Sequence, residues 1–267
     1  MKHKIYRIVC TALCCAPLLA TAQTGGKITS PQRLYEEGES LFRQKAFAAA
    51  MPPLQAFIKQ TDAEGAPVSA AGNKEEAEYM LVCAEYELRN PNSIELLREY
   101  LDTYPDTPHA NRICALIASA YFFEGKYDDA LAMFNSSRLD LLSNEERDDM
   151  TYRLATCYLK TGNVKEAAIW FETLRSTGSR YTADCTYYLA YIRYSQQRYD
   201  DALSGFLSLQ DNAKYEALVP YYIAEIYLIK KNYDKAEIVA QNYLSAYPNQ
   251  RDVPHTRYSR LSFRQVP

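Results

Sequence analysis

The chain has 267 residues; 48% are apolar, and only 9 are glycine and 12 proline. A sizeable core is possible, and so few glycines exclude an all-β protein built on many tight turns and favour helices. The formal net charge of −3 provides no basic field for nucleic acid.

Residues 1–22 read as a secretory signal peptide. Lys2, Lys4 and Arg7 form a basic start, Ile8 to Leu19 an apolar run, and Ala20-Thr21-Ala22 a small-x-small cleavage site. The run is short for a membrane span. Thr11-Ala12-Leu13 lacks the small residue that a lipid-attachment motif puts ahead of its cysteine, so Cys14 and Cys15 are not read as lipidated. Cleavage removes three basic residues and leaves 27 against 33 acidic ones, a net charge of −6. Residues 23–30 read as a flexible leader. No later segment is apolar enough to cross a bilayer. The expectation is an exported protein of the periplasm or cell envelope of a Gram-negative bacterium, with no membrane insertion after signal removal.

The first repeating unit is read at 31–59, with Gly38, Phe47 and Ala50 in register with later copies. Pro52 and Pro53 break a helix interior, so its second helix is expected to start near Met51. Residues 60–73 read as a loop. The second unit, 74–108, carries Tyr86, a short turn at "RNPNS" and a closing Pro105.

Four regular units follow at 111–142, 148–179, 183–214 and 217–250. Ala118, Ala155, Ala190 and Ala224 share one column, and Tyr121, Tyr158, Arg193 and Tyr227 another. Tyr127, Val164, Tyr199 and Tyr233 open the second half of each unit. Ala130, Ala167, Ala202 and Ala236 follow three residues later, then Phe134, Phe171, Phe206 and Ala240. Apolar spacings of three and four make each unit two amphipathic helices. The turn between them carries Gly125, Gly162, Gln197 and Lys231; glycine reaches a left-handed helix end cheaply. Asp128, Asp200 and Asp234 are expected to cap the second helix. One pair cannot bury its apolar face alone, but a stack can. The reading is an all-α solenoid of about six antiparallel helix pairs over 31–250, with 251–267 a C-terminal tail or partial cap.

This pattern resembles the tetratricopeptide repeat (TPR) family. The carrying residues are the small-x-x-Tyr element (Ala118 to Tyr121, Ala155 to Tyr158, Ala224 to Tyr227), the Tyr-x-x-Ala element after the turn, the later Phe, and Pro105 and Pro248 at unit ends. The resemblance implies a right-handed superhelix whose first helices line a concave groove. Repeat packing then falls to the alanine, tyrosine and phenylalanine columns above. The unit ends resemble those of exported envelope repeat proteins.

Four cysteines follow the signal: Cys83, Cys114, Cys157 and Cys185. An even count in an exported chain suggests bridges. Each, however, sits in a helical apolar pattern as a small buried hydrophobe. Free thiols are expected, with Cys83 and Cys114 the pairing to check.

No catalytic motif is present: no H-E-x-x-H, C-x-x-C, G-x-S-x-G, P-loop or G-x-G-x-x-G. Only His109 and His255 survive signal removal, and His109 reads as a surface residue before a helix. No enzyme, cofactor or metal is expected. The groove-facing positions that the resemblance implies include Phe122, Tyr152, Tyr187, Tyr191, Tyr194 and Tyr221. Tyr187, Tyr191 and Tyr194 share one helical face, and tyrosine suits peptide recognition. Some relatives grip a C-terminal carboxylate with Lys, Arg and Asn; Asp149, Thr156, Asp184 and Tyr191 stand at those positions here. The expected function is a non-enzymatic adaptor that holds a protein or peptide in this groove. A carbohydrate or peptidoglycan binder and a self-associating structural module are the alternatives.

Overall fold

The computed structural model describes residues 30–62 and 73–247. These residues form twelve α-helices and no strand. They pair as α1 (Pro31–Arg43) with α2 (Phe47–Thr61), α3 (Lys74–Glu87) with α4 (Ser93–Thr103), and α5 (Ala110–Phe123) with α6 (Tyr127–Asn135). A 3-10 turn, Leu139–Leu141, leads to α7 (Asn144–Lys160) and α8 (Val164–Ser176). Then come α9 (Thr182–Ser195) with α10 (Tyr199–Leu207), and α11 (Val219–Ile229) with α12 (Tyr233–Ala246). Each helix packs on the next in chain order, so six pairs stack into one all-α solenoid. The signal segment, the leader up to residue 29, Pro248, His255 and the tail lie outside the described residues, as do 63–72.

One device ends every first helix. The backbone turns left-handed at Lys45, Arg89, Gly125, Gly162, Gln197 and Lys231, with φ between 57° and 80°. The next amide then returns to the carbonyl five residues back, as in Lys126 to Tyr121, Asn163 to Tyr158 and Arg198 to Arg193, at 2.8–2.9 Å. This six-to-one bond satisfies a carbonyl that the helix end would orphan, and it reverses the chain in three residues.

The columns explain the stacking. Ala118, Ala155, Ala190, Ala130, Ala167 and Ala202 are fully buried, and their small size lets the two helices of a pair approach. At Gly205, even a methyl group would lie 2.8 Å from the Ala190 Cβ. Phe134, Phe171 and Phe206 then fill the space between pairs. Phe171 lies flat on Tyr188 of the next pair at 5.0 Å, and Phe206 on Tyr222 at 4.7 Å. Tyr121, Tyr158, Tyr127, Tyr199 and Tyr227 are half-buried around this core.

Several expectations need correction. Tyr233 is 62% exposed and Ala240 is exposed, while Ala224 is only partly buried. These positions belong to the last pair, where no further described pair covers them. Helix α2 starts at Phe47, not near Met51, and carries Pro52 and Pro53 in its interior. The cap positions of α6, α10 and α12 are Lys126, Arg198 and Asn232, and of these only Asn232 accepts an amide. Asp128, Asp200 and Asp234 sit in the first turn, where they complement the helix dipole without capping. All four cysteines are free, and Cys83 and Cys114 are not bridged. Burial pushes the thiols of Cys83, Cys157 and Cys185 up to about 12.

Because no atom lies within 4 Å of a Cβ placed at Gly162, only its left-handed backbone opposes a side chain. Gly162→Ala is expected to cost about 1 kcal/mol in urea unfolding, while Gln197→Gly shifts stability the other way. Equal effects of one sign would show that the turns do not set stability.

Candidate functional site

Three of the first helices carry an acidic residue three places before a tyrosine: Glu76 and Tyr79, Asp149 and Tyr152, Asp184 and Tyr187. Three places is most of one helical turn, so both side chains leave the same face. In each case a ring from the segment before the next first helix lies flat on that tyrosine. His109 stacks on Tyr79 at 3.6 Å, Tyr181 on Tyr152 at 4.4 Å and Tyr215 on Tyr187 at 4.9 Å.

The same ring bonds the acid. His109 Nε2 lies 2.8 Å from Glu76, Tyr181 donates to Asp149 at 3.1 Å, and Tyr215 donates to Asp184 at 2.5 Å. Arg180 adds a second bond to Asp149, and Lys214 to Asp184. We call this arrangement a buckle.

The third pair has Arg112 and Ala115 at these places. Arg112 instead reaches back to the Tyr79 hydroxyl and forward to Glu146, 2.6 Å away. Burial opposes ionisation of Glu146, but the Ser143 hydroxyl and the Arg112 guanidinium together hold its carboxyl below the ordinary value. Two turns along, buried Ser119 joins Tyr86 and Arg153.

The buckles decide where the expected groove residues stand. Tyr187 is only 7% exposed, so its placement in an open groove is corrected: Tyr215 covers it. Tyr152 is likewise sandwiched, with Tyr181 on its face and Tyr188 at 6.4 Å. Desolvation raises both hydroxyl pKa values. Tyr191, Tyr194 and Tyr221 are half-buried and come together around buried Tyr222, with ring centroids at 6.3, 5.5 and 5.4 Å. Burial and then Glu225 raise the Tyr194 and Tyr221 pKa values. Phe122 is half-buried against Phe123. His109, expected on the surface, is instead a buckle ring.

Ile169, Ile238 and Leu244 are open on the second helices; on the first helices, the large apolar groups that remain open lie at the last turns. Leu88, Phe123, Leu228 and Ile229 are all more than 40% exposed there. A cavity of about 490 Å³ is lined by Phe42, Glu87, Arg112 and Glu146, one from each of the first four first helices, together with Lys45 and Phe47. A second cavity, of about 440 Å³, lies toward the second helices beside Trp170. Among the described residues, no group of three or more His, Cys, Asp or Glu is placed to hold a metal ion.

Comparison with known proteins matches a tetratricopeptide repeat family model over residues 115–181. Solved structures share the fold. A C-terminal part of a TPR repeat-containing protein from Cytophaga hutchinsonii has a TM-score of 0.57 at 16% identity, covering 84% of this chain and 86% of that one. PilF of Pseudomonas aeruginosa gives 0.55 at 14%, covering 82% and 92%. YrrB, a TPR protein with an unusual peptide-binding site, gives 0.50 at 15%, covering 80% and 94%. No curated protein matches the sequence.

Two outcomes are expected. Tyr187→Ala should destabilise the chain by about 3 kcal/mol in urea unfolding, and Tyr191→Ala by clearly less; the reverse order would reject the burial assignment. Glu146, whose folded pKa is depressed, contributes stability above its ordinary value of 4.5, and this is lost as pH falls through the folded value. The stability gap between the parent and Glu146→Gln should therefore shrink below about pH 4.5. A gap unchanged from pH 7 to 3 would show that the Arg112 pair does not couple to protonation.

Proposed function

Since this chain is a tetratricopeptide-repeat protein, we propose that it is a non-enzymatic adaptor of the bacterial cell envelope, holding an extended segment of a partner protein along the last turns of its first helices. The observation that carries this reading is the exposed apolar groups at the ends of the second, third and sixth first helices, Leu88, Phe123, Leu228 and Ile229. Neighbouring Phe122, Tyr191, Tyr194 and Tyr221 supply half-buried rings. Tyrosine and phenylalanine offer contact area at low entropic cost. The peptide-binding site of YrrB supports a peptide ligand on this fold. Tyr152 and Tyr187 take a supporting part, since their buckles fix the helices that present the edge. The envelope setting is supported by the basic and apolar N-terminal sequence. No described helix is long and apolar enough to cross a membrane.

The test is crosslinked capture from envelope extract, using the chain without its first 22 residues as bait. Proteins identified by mass spectrometry would be purified and bound again singly. A partner should be kept by the parent and by Ile169→Ser, a control on the second helices. It should be lost, by at least about tenfold in affinity, with Tyr191→Ala, Tyr194→Ala and Tyr221→Ala combined, provided that variant keeps its helical signal. Loss with Ile169→Ser alone would move the site to the second helices. Recovery only of the bait itself, with mass rising with concentration, would favour self-association.

A further inference from the structure

Phe123 ends α5 and is 50% exposed. It is held between two guanidinium groups. Arg89, the left-handed residue after α3, lies 4.1 Å from the ring centroid, and Arg153 of α7 lies 4.9 Å from it. A cation over a ring face is drawn by the ring's quadrupole, and it keeps its N–H donors at the rim.

Those donors are largely unspent. The Arg89 side chain makes no hydrogen bond or ion pair among the described residues, while Arg153 bonds Ser119, touches the Met150 sulfur at 3.5 Å and pairs with Asp149 at 3.9 Å. Lys160 stands seven residues beyond Arg153, two turns along the same face of α7. It too has no carboxylate partner among the described residues, although it is partly buried and desolvation lowers its pKa. In a chain with more acidic than basic side chains, two cations at one apolar ring, only one of them with a carboxylate within 4 Å, and a third unpaired cation two turns further along α7 stand out. Burying a cation without a counter-charge is costly, and an arriving carboxylate removes that cost.

We infer that Arg89, Phe123, Arg153 and Lys160 form a recognition site for an acidic side chain next to an apolar one in the partner segment. The site rests on the adaptor reading above and gives the bound segment a direction. Its carboxylate lies over the third and fourth pairs, and its apolar remainder runs toward Tyr191, Tyr194 and Tyr221, where Glu225 disfavours a second acid. Side-chain carboxylates meet Arg89 and Arg153 through charge-assisted bonds, while the apolar neighbour packs on the exposed part of Phe123.

The test is selection of a phage-displayed random heptapeptide library on the chain without its first 22 residues. The displayed peptides have no free C-terminus, so an acidic consensus reports side-chain carboxylates. The parent is expected to enrich Asp or Glu beside Leu, Phe or Tyr. The double variant Arg89→Gln with Lys160→Gln removes no side-chain hydrogen bond or ion pair within the described fold, only the Arg89 contact with the Phe123 ring. It should keep the apolar preference and lose the acidic one. A dye-labelled winning peptide should bind it at least about tenfold more weakly by fluorescence anisotropy, and adding Arg153→Gln should weaken it further. An apolar consensus without acids overturns the inference and leaves the adaptor reading standing. So does an acidic consensus that survives the double variant. No consensus at all on the parent sinks the adaptor reading and this inference together.

Discussion

A ring laid flat on the tyrosine of the preceding pair, and bonded to the acid one turn before it, fixes how one repeat follows another. Stacking alone contributes about 0.5–1.5 kcal/mol and tolerates sliding. A bond to a charged carboxylate contributes about 1.5–3 kcal/mol and has a direction. Together they hold both the distance and the rotation between adjacent first helices. The buried Asp184 illustrates the constraint: it accepts from Tyr215 and from Lys214, so its charge is matched rather than stranded. The third pair lacks the motif and solves the same problem with Arg112, which ties pairs two, three and four into one polar chain.

Buckles act between pairs; the left-handed residues act within them. Six helix ends share one backbone conformation, yet only two of the six are glycine. Lys45, Arg89, Gln197 and Lys231 hold it against the usual steric cost, because the six-to-one bond and the packing of the second helix determine the turn. The stack has a weak end for the same reason that it has a strong middle. Each pair is stabilised by the pair stacked after it, and the described residues of α12 leave Tyr233, Ile238 and Leu244 in water.

Much of this is legible in the sequence. The alanine and phenylalanine columns give the helix pairs, because small-to-small approach and aromatic filling leave a period near 34 residues. Helix α2 reads late because two prolines outweigh Phe47 and Ala50, which pack regardless. The groove reading fails at Tyr187 for a specific reason. Position on a helix face says nothing of what the next linker lays on it. The signal is present as an acid three places before a tyrosine, at Glu76, Asp149 and Asp184, with an aromatic residue just ahead of the following helix. No periodicity within one helix could show that the two would meet, since the contact joins residues about 30 places apart.

The division of labour along each first helix then comes from geometry. Its opening turns are spent, in three of the six, on the buckle, so Tyr79, Tyr152 and Tyr187 are committed to packing. Its middle carries the small residues that touch the second helix. The last turn is the least covered in the second, third and sixth pairs, whereas in the fourth Leu159 is buried there. Phe123 is exposed beside such a turn, and Leu228 and Ile229 are exposed in the last pair, which no further described pair covers. A ligand on this edge therefore meets side chains whose backbone is already fixed by the six-to-one bond. On the proposed reading, recognition there would cost little ordering of the protein, and the turn that closes each repeat would also present the proposed edge.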